Sequence, residues 1–143
     1  MPESGEGEFR GELWELTERI VGIFFGVANE LGCGFLESVY RRAMCVALRE
    51  AGLKVEEEAP IEVWFHGHSV GLFRADIIVE GVVLLELKTA EEVTRQFEAQ
   101  VLHYLRASRL EVGMVLAFGA KARFRRLSMK NDCKVGWVRQ ERG

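Results

Sequence analysis

Four apolar residues in a row, Val82-Val83-Leu84-Leu85, run directly into Glu86-Leu87-Lys88. An unbroken apolar run of this kind reads as a strand covered on both faces. Such a strand needs a layer above it and a layer below it, so the chain must supply helices to both sides of a sheet. The end of the run poses a problem. Side chains alternate along a strand, so Leu84, Glu86 and Lys88 share one face. A carboxylate and an ammonium then stand side by side where the strand leaves the core. That is costly unless they are paired or hold a cation.

The rest of the chain supplies the layers. Leu13, Leu16, Ile20, Ile23, Phe24, Val27 and Leu31 recur at helical spacing, predicting a helix from about Phe9 to Leu31, ended by Gly32-Cys33-Gly34. A second helix is expected from Leu36 to Glu50, closed by Ala51-Gly52. The period then changes. Strands are expected over Val55–Phe65, Ser69–Glu80 and Val82–Thr89, with turns at His66-Gly67-His68 and Gly81. A third helix over Glu91–Ser108 precedes a buried strand at Val112–Phe118 and a weaker pair at Phe124–Met129 and Lys134–Val138. The expected fold is an α/β domain of the α+β layered kind, a central mixed β-sheet flanked by helices, in the order α-α-β-β-β-α-β(-β-β). Residues 1–8 are expected to form a flexible tail and residues 9–143 a single domain.

Several function classes drop out. A composition 48% hydrophobic and 29% charged is that of a water-soluble globule, and no apolar run reaches the ~20 residues of a membrane span. The acidic start MPESGEGEFRGE does not resemble a secretory leader, and Cys33, Cys45 and Cys133 form no CxxC pair. A reducing cytoplasm is therefore the expected location, with no membrane partner. No glycine-rich loop precedes a Lys-Ser/Thr pair, which argues against a nucleoside triphosphatase. The formal charge of −3 does not advertise a nucleic-acid binder, and the basic run Lys121, Arg123, Arg125, Arg126, Lys130 reads first as a solvated strand and turn. Trp14 and Phe24-Phe25 read as core of the first helix, any exposed remainder being a candidate homo-oligomer contact. His66 and His68 flank a turn glycine and read as surface residues.

The candidate site begins with Asp76, set between apolar neighbours in Phe73-Arg74-Ala75-Asp76-Ile77-Ile78. A hairpin centred near Gly81 would bring it opposite Glu86. Two carboxylates meeting there repel unless a cation lies between them, and Mg²⁺ prefers such oxygens. Lys88 would then orient or deprotonate an attacking water, or neutralise phosphate charge. Taken alone, these three residues read first as a Glu86–Lys88 ion pair with Asp76 in a turn. Two helical pairs shift the balance. Glu37 and Tyr40 are three apart and Gln100 and Tyr104 four apart, so each pair shares a helix face. All four would line a cleft over the sheet beside the charged cluster, with Glu37 as a third carboxylate.

The stretch Gly34-Phe35-Leu36-Glu37-Ser38-Val39-Tyr40 matches the motif of the GxxExxY protein family, a group resembling the PD-(D/E)XK nuclease superfamily. FRADIIVE, LLELKT and EAQVLHYL follow in that family's order, so the resemblance covers most of the chain. Gln100-Val101-Leu102-His103-Tyr104 also resembles the QxxxY motif of recombination-type exonucleases. One departure is that Asp76 follows Ala75, where the superfamily name leads one to expect proline. The resemblance implies a restriction-endonuclease-like core and a nuclease hydrolysing phosphodiester bonds of nucleic acid, DNA ahead of RNA. It implies Mg²⁺ or Mn²⁺ held by Asp76, Glu86 and the Leu87 backbone carbonyl, with Glu37 assisting as a ligand or by positioning water. Lys88 matches the catalytic lysine, and Gln100 and Tyr104 match the polar face that holds the scissile strand. The alternative left open is a non-catalytic nucleic-acid-binding or protein-interaction module that keeps the fold.

Overall fold

The computed structural model describes residues 12–134. Two helices, α1 (Glu12–Leu31) and α2 (Glu37–Glu50), lead into three strands, β1 (Val55–Phe65), β2 (His68–Val79) and β3 (Val83–Lys88). Helix α3 (Arg95–Arg106), β4 (Val112–Ala117), β5 (Arg123–Ser128) and a 3-10 turn (Asn131–Cys133) follow. The strands form one sheet in the order β1-β2-β3-β4-β5. β3 and β4 are parallel and the other neighbours antiparallel, because only α3 is long enough to carry the chain back over the sheet. This is the mixed-sheet, helix-flanked order read from periodicity. Of the strand expected at Lys134–Val138, residues 135–138 lie outside the described residues, as does the expected tail at 1–8.

β3 is the middle strand, and Val83, Leu84, Leu85, Glu86 and Leu87 are all buried. Val83, Leu85 and Leu87 pack with Ile20 and Phe24 of α1 and Met44 and Leu48 of α2. Leu84, on the other face, packs with Val101, Tyr104 and Leu105 of α3. Each such side chain contributes about 1.5–3 kcal/mol by leaving water, so the apolar half of β3 anchors both helical layers at once. Val82 sits in the preceding turn and is exposed, which moves the start of the strand one residue later than its apolar run suggests.

Helix α3 also starts later than expected, at Arg95 rather than Glu91. Thr94 is its N-cap, its hydroxyl accepting the Phe97 N–H at 3.2 Å. Glu91 is used elsewhere, accepting the Ala120 N–H at 3.0 Å and tying the loop after β3 to the loop after β4.

The β1–β2 ribbon changes character halfway. Val55, Ile77 and Val79 pack on the α1–α2 side, whereas Ile61, Phe73 and Ala75 pack on the α3 side. Regular alternation would keep these odd-numbered residues on one face. The pairing Glu57↔Ile77 and Ala59↔Ala75 skips Glu58 and Asp76, and Glu58 takes a φ of 52°. The ribbon therefore twists sharply at Asp76.

Helix α3 lies so close to β4 that a Cβ built on Gly113 would meet Val101 Cγ1 at 2.6 Å. Gly113→Ala should therefore force α3 outward and destabilise the fold by about 1–3 kcal/mol. Urea denaturation checks this; an unchanged midpoint would show that α3 is free to shift.

Candidate active site

The β2–β3 ladder pairs Val79 with Val83, Ile78 with Leu84 and Ile77 with Leu85, then stops. Continuing that register brings Asp76 opposite Glu86, as the hairpin reading expected. Side chains take over from the ladder there. The Asp76 N–H donates to Glu86 Oε1 at 3.3 Å, and the Leu87 N–H donates to Asp76 Oδ2 at 2.7 Å. A strand residue's N–H and C=O point to the same edge, so the Leu87 carbonyl also faces the gap between β2 and β3. The next carbonyl along, that of Lys88, faces the other edge and accepts the Phe118 N–H at 2.8 Å.

Lys88 Nζ lies 4.0 Å from Glu86 Oε2 and 5.2 Å from the centre of the Phe97 ring of α3. Glu37, in the first turn of α2, reaches the same strand end, its Oε2 accepting the Thr89 N–H at 3.3 Å. On α3, Gln100 Nε2 donates to the Tyr104 hydroxyl at 3.2 Å. Tyr104 is buried, and its hydroxyl pKa is raised by burial and by the nearby Glu86 and Asp76 carboxylates, so it belongs to the same electrostatic neighbourhood. Asp76, Glu86, Lys88, Glu37, Gln100 and Tyr104 thus converge.

Tyr40 does not join them. It is fully buried on the α1–α2 side, stacked on Phe118 with centroids 4.2 Å apart. Its hydroxyl donates to the Gly32 carbonyl and accepts the Phe35 N–H. Tyr40 therefore staples the turn in which Gly34 takes a φ of 110°, and that turn sets where Glu37 begins its helix. The residue that sequence reasoning missed is Arg41. It lies four after Glu37, and the charges of Arg41 and Asp76 influence one another. Its only sequence signal is that spacing, in a chain rich in arginine.

In the basic run Lys121, Arg123 and Arg125 are exposed, as a solvated strand would have them, and Arg126 is tied into the fold. Arg126 pairs with Glu18 at 2.7 Å and lies over the Trp14 ring, and Arg125 lies 3.7 Å from Glu98.

Among the described residues, three polar or charged side chains are buried: Thr17, Lys134 and Glu86. Thr17 bonds to the Trp14 carbonyl, and Lys134 donates to the Ser108 and Leu110 carbonyls and to Asn131 Oδ1. Glu86, 4% exposed, has only one long hydrogen bond and an ammonium 4.0 Å away. Burial first, and then the Asp76 charge, push its pKa up to about 8. Burial also raises the pKa of Asp76, opposed by the Leu87 N–H. Two carboxylates that resist ionising where they stand form a donor pair that a cation would satisfy. Among the described residues no three His, Cys, Asp or Glu side chains form a metal-binding group. The donor set that fits is two carboxylates and a strand carbonyl, with water completing the shell, as suits Mg²⁺.

Residues 14–127 match the PD-(D/E)XK nuclease superfamily. The chain belongs to this superfamily. A solved structure described as the crystal structure of SSO0001 shares the superfamily member's fold, with a TM-score of 0.50 and 18% identity over 71% of this chain. The match spans about half of that solved chain, 54% of its length. No curated protein matches. The restriction-endonuclease-like core expected from the sequence is the core observed.

The raised Glu86 pKa has a consequence for stability without metal. The folded state holds a proton on Glu86 up to about pH 8, whereas the unfolded chain releases it near 4.5, the ordinary value for a glutamate. Stability therefore falls as pH rises between those values. Glu86→Gln removes this penalty and keeps an oxygen for the Asp76 N–H. It should raise the stability of chelator-treated protein at pH 7 by about 1–3 kcal/mol, with the gain vanishing by pH 4. Thermal melts across that range check it; a gain that persisted at pH 4 would show that the proton is not its source.

Proposed function

We propose that the chain is a divalent-metal-dependent nuclease that hydrolyses phosphodiester bonds of nucleic acid, of the GxxExxY kind within its superfamily. The observation that carries this reading is the burial of Glu86 against Asp76 at the splayed end of β2 and β3, with Lys88 beside them. A structural ion pair would need no second carboxylate and would sit closer than 4.0 Å. Membership of the superfamily supports a nucleic-acid substrate, and DNA is the first to test, ahead of RNA.

In this reading Asp76, Glu86 and the Leu87 carbonyl hold Mg²⁺ or Mn²⁺, and Glu37, which does not form a three-carboxylate group with them, would assist by positioning water. When bound, the cation supplies a Lewis acid to the phosphodiester and acidity to the attacking water. Lys88, braced by Glu86 and the Phe97 ring, orients that water and offsets the charge that grows on the phosphate oxygens. Gln100 and Tyr104 present a polar edge from α3 that positions the strand to be cut. The free cysteines among the described residues suit action in a reducing cytoplasm.

The test is cleavage of labelled single- and double-stranded DNA and of RNA with Mg²⁺, Mn²⁺ or chelator. Asp76→Ala should abolish cleavage, and Lys88→Ala should lower kcat by at least about 10²-fold. Activity that survives both substitutions sinks the mechanism. Salt-sensitive binding without cleavage under either metal would identify a binding module instead.

A further inference from the structure

The candidate cation site draws its residues from separate elements of the fold. Asp76 and Glu86 come from the sheet, whereas Glu37 comes from α2, which packs on β3 through Met44 and Leu48 and whose polar link at the site end is one 3.3 Å hydrogen bond from Thr89, just past β3. A second link lies one helical turn on. Arg41 shares a face with Glu37 and reaches β1, its Nε donating to Glu57 Oε2 at 2.9 Å and its Nη2 lying 3.5 Å from Glu58 Oε2. Glu57 borders the place where the β1–β2 ladder skips a pair, and Glu58 occupies it. Glu57 pairs with Ile77, next to Asp76, and Glu58, in line with Asp76, takes a φ of 52°. A non-glycine residue in that conformation is strained and persists only where its surroundings hold it. Arg41 is one of those surroundings. The Arg41 side chain is mostly buried and Glu57 partly so, whereas Glu58 is 57% exposed, so the Glu57 prong is the one better shielded from the screening that weakens exposed pairs.

We infer that Arg41 is a positioning residue for the cation site: its two-pronged clamp on Glu57 and Glu58 sets the separation between Glu37 on α2 and Asp76 on β2. The inference rests on the metal-dependent reading above. It deepens that reading by adding a residue that touches neither metal nor substrate.

Positioning and simple charge predict opposite signs. If Arg41 acted only as a nearby positive charge, its removal would relieve repulsion and tighten binding of a divalent cation. If it positions the carboxylates, its removal weakens binding. Lysine keeps the charge but loses the planar fork, so positioning predicts that Arg41→Lys is also impaired. The experiment titrates the whole chain with Mn²⁺ alone, followed by loss of the free-ion EPR signal well below the unfolding temperature. Wild type, Arg41→Lys and Arg41→Gln are compared, with circular dichroism to show that each is folded. Both variants should bind Mn²⁺ about 10-fold more weakly, in the range of supporting residues at metal sites. Their melting temperatures should rise less on adding Mn²⁺. Unchanged affinity in Arg41→Lys, or tighter binding in Arg41→Gln, overturns the positioning role while leaving the site intact. Wild type that takes up no Mn²⁺ overturns the metal-dependent reading itself, and this inference with it.

Discussion

Two carboxylates face each other where the central strand leaves the core, and much of the surrounding structure serves to tolerate that arrangement. Removing an ionised carboxylate from water costs several kcal/mol even after the protein relaxes around it. The domain meets this cost only in part. Asp76 has the short Leu87 N–H, and Glu86 has the long Asp76 N–H and a distant ammonium. The remainder appears as raised proton affinity at both groups. A site optimised for stability would not be built this way. Under the proposed metal-dependent reading, a divalent cation would turn that repulsion into the binding force.

The sheet makes this geometry possible by failing locally. An uninterrupted ladder would pair β2 with β3 through Asp76, and its backbone groups would bond only to each other. Pairing stops after Ile77↔Leu85, so the two side chains bridge to the backbone and the Leu87 carbonyl is left at the gap. The same point on the β1 side carries the left-handed Glu58 and the switch of faces. Strain of this kind gathers where geometry is held for a purpose. The helices then add to the gap from both layers: α2 brings Glu37 and Arg41 from one side, and α3 brings Gln100, Tyr104 and the Phe97 ring from the other.

Much of this was legible in the chain. The Val82–Leu85 run announced a doubly covered strand, and the helical spacings on either side announced its covers. The hairpin centre near Gly81 was enough to set Asp76 against Glu86, since register in a tight hairpin follows from its turn. Boundaries were less legible. Glu91 looked helical in composition, but Thr94 offered the better cap and Glu91 found a partner 29 residues away. Tyr40 is the instructive error. Spacing correctly put it on the face of α2 shared with Glu37, but a shared face does not say what that face meets. Its ring meets Phe118, and its hydroxyl closes the Gly32–Phe35 turn.

The sequence by itself determined the element order, the central strand, the opposed carboxylates and the helical pairs that accompany them. These depend on periods of two and 3.6 and on turns, which are local properties of a chain. Only the tertiary structure decided that Glu86 lacks adequate partners and that Tyr40 supports rather than lines the cleft. It alone decided that Arg41 grips Glu57 and Glu58 across two layers. Burial, desolvation and long-range pairing depend on which surfaces meet, and no spacing along one element carries that information.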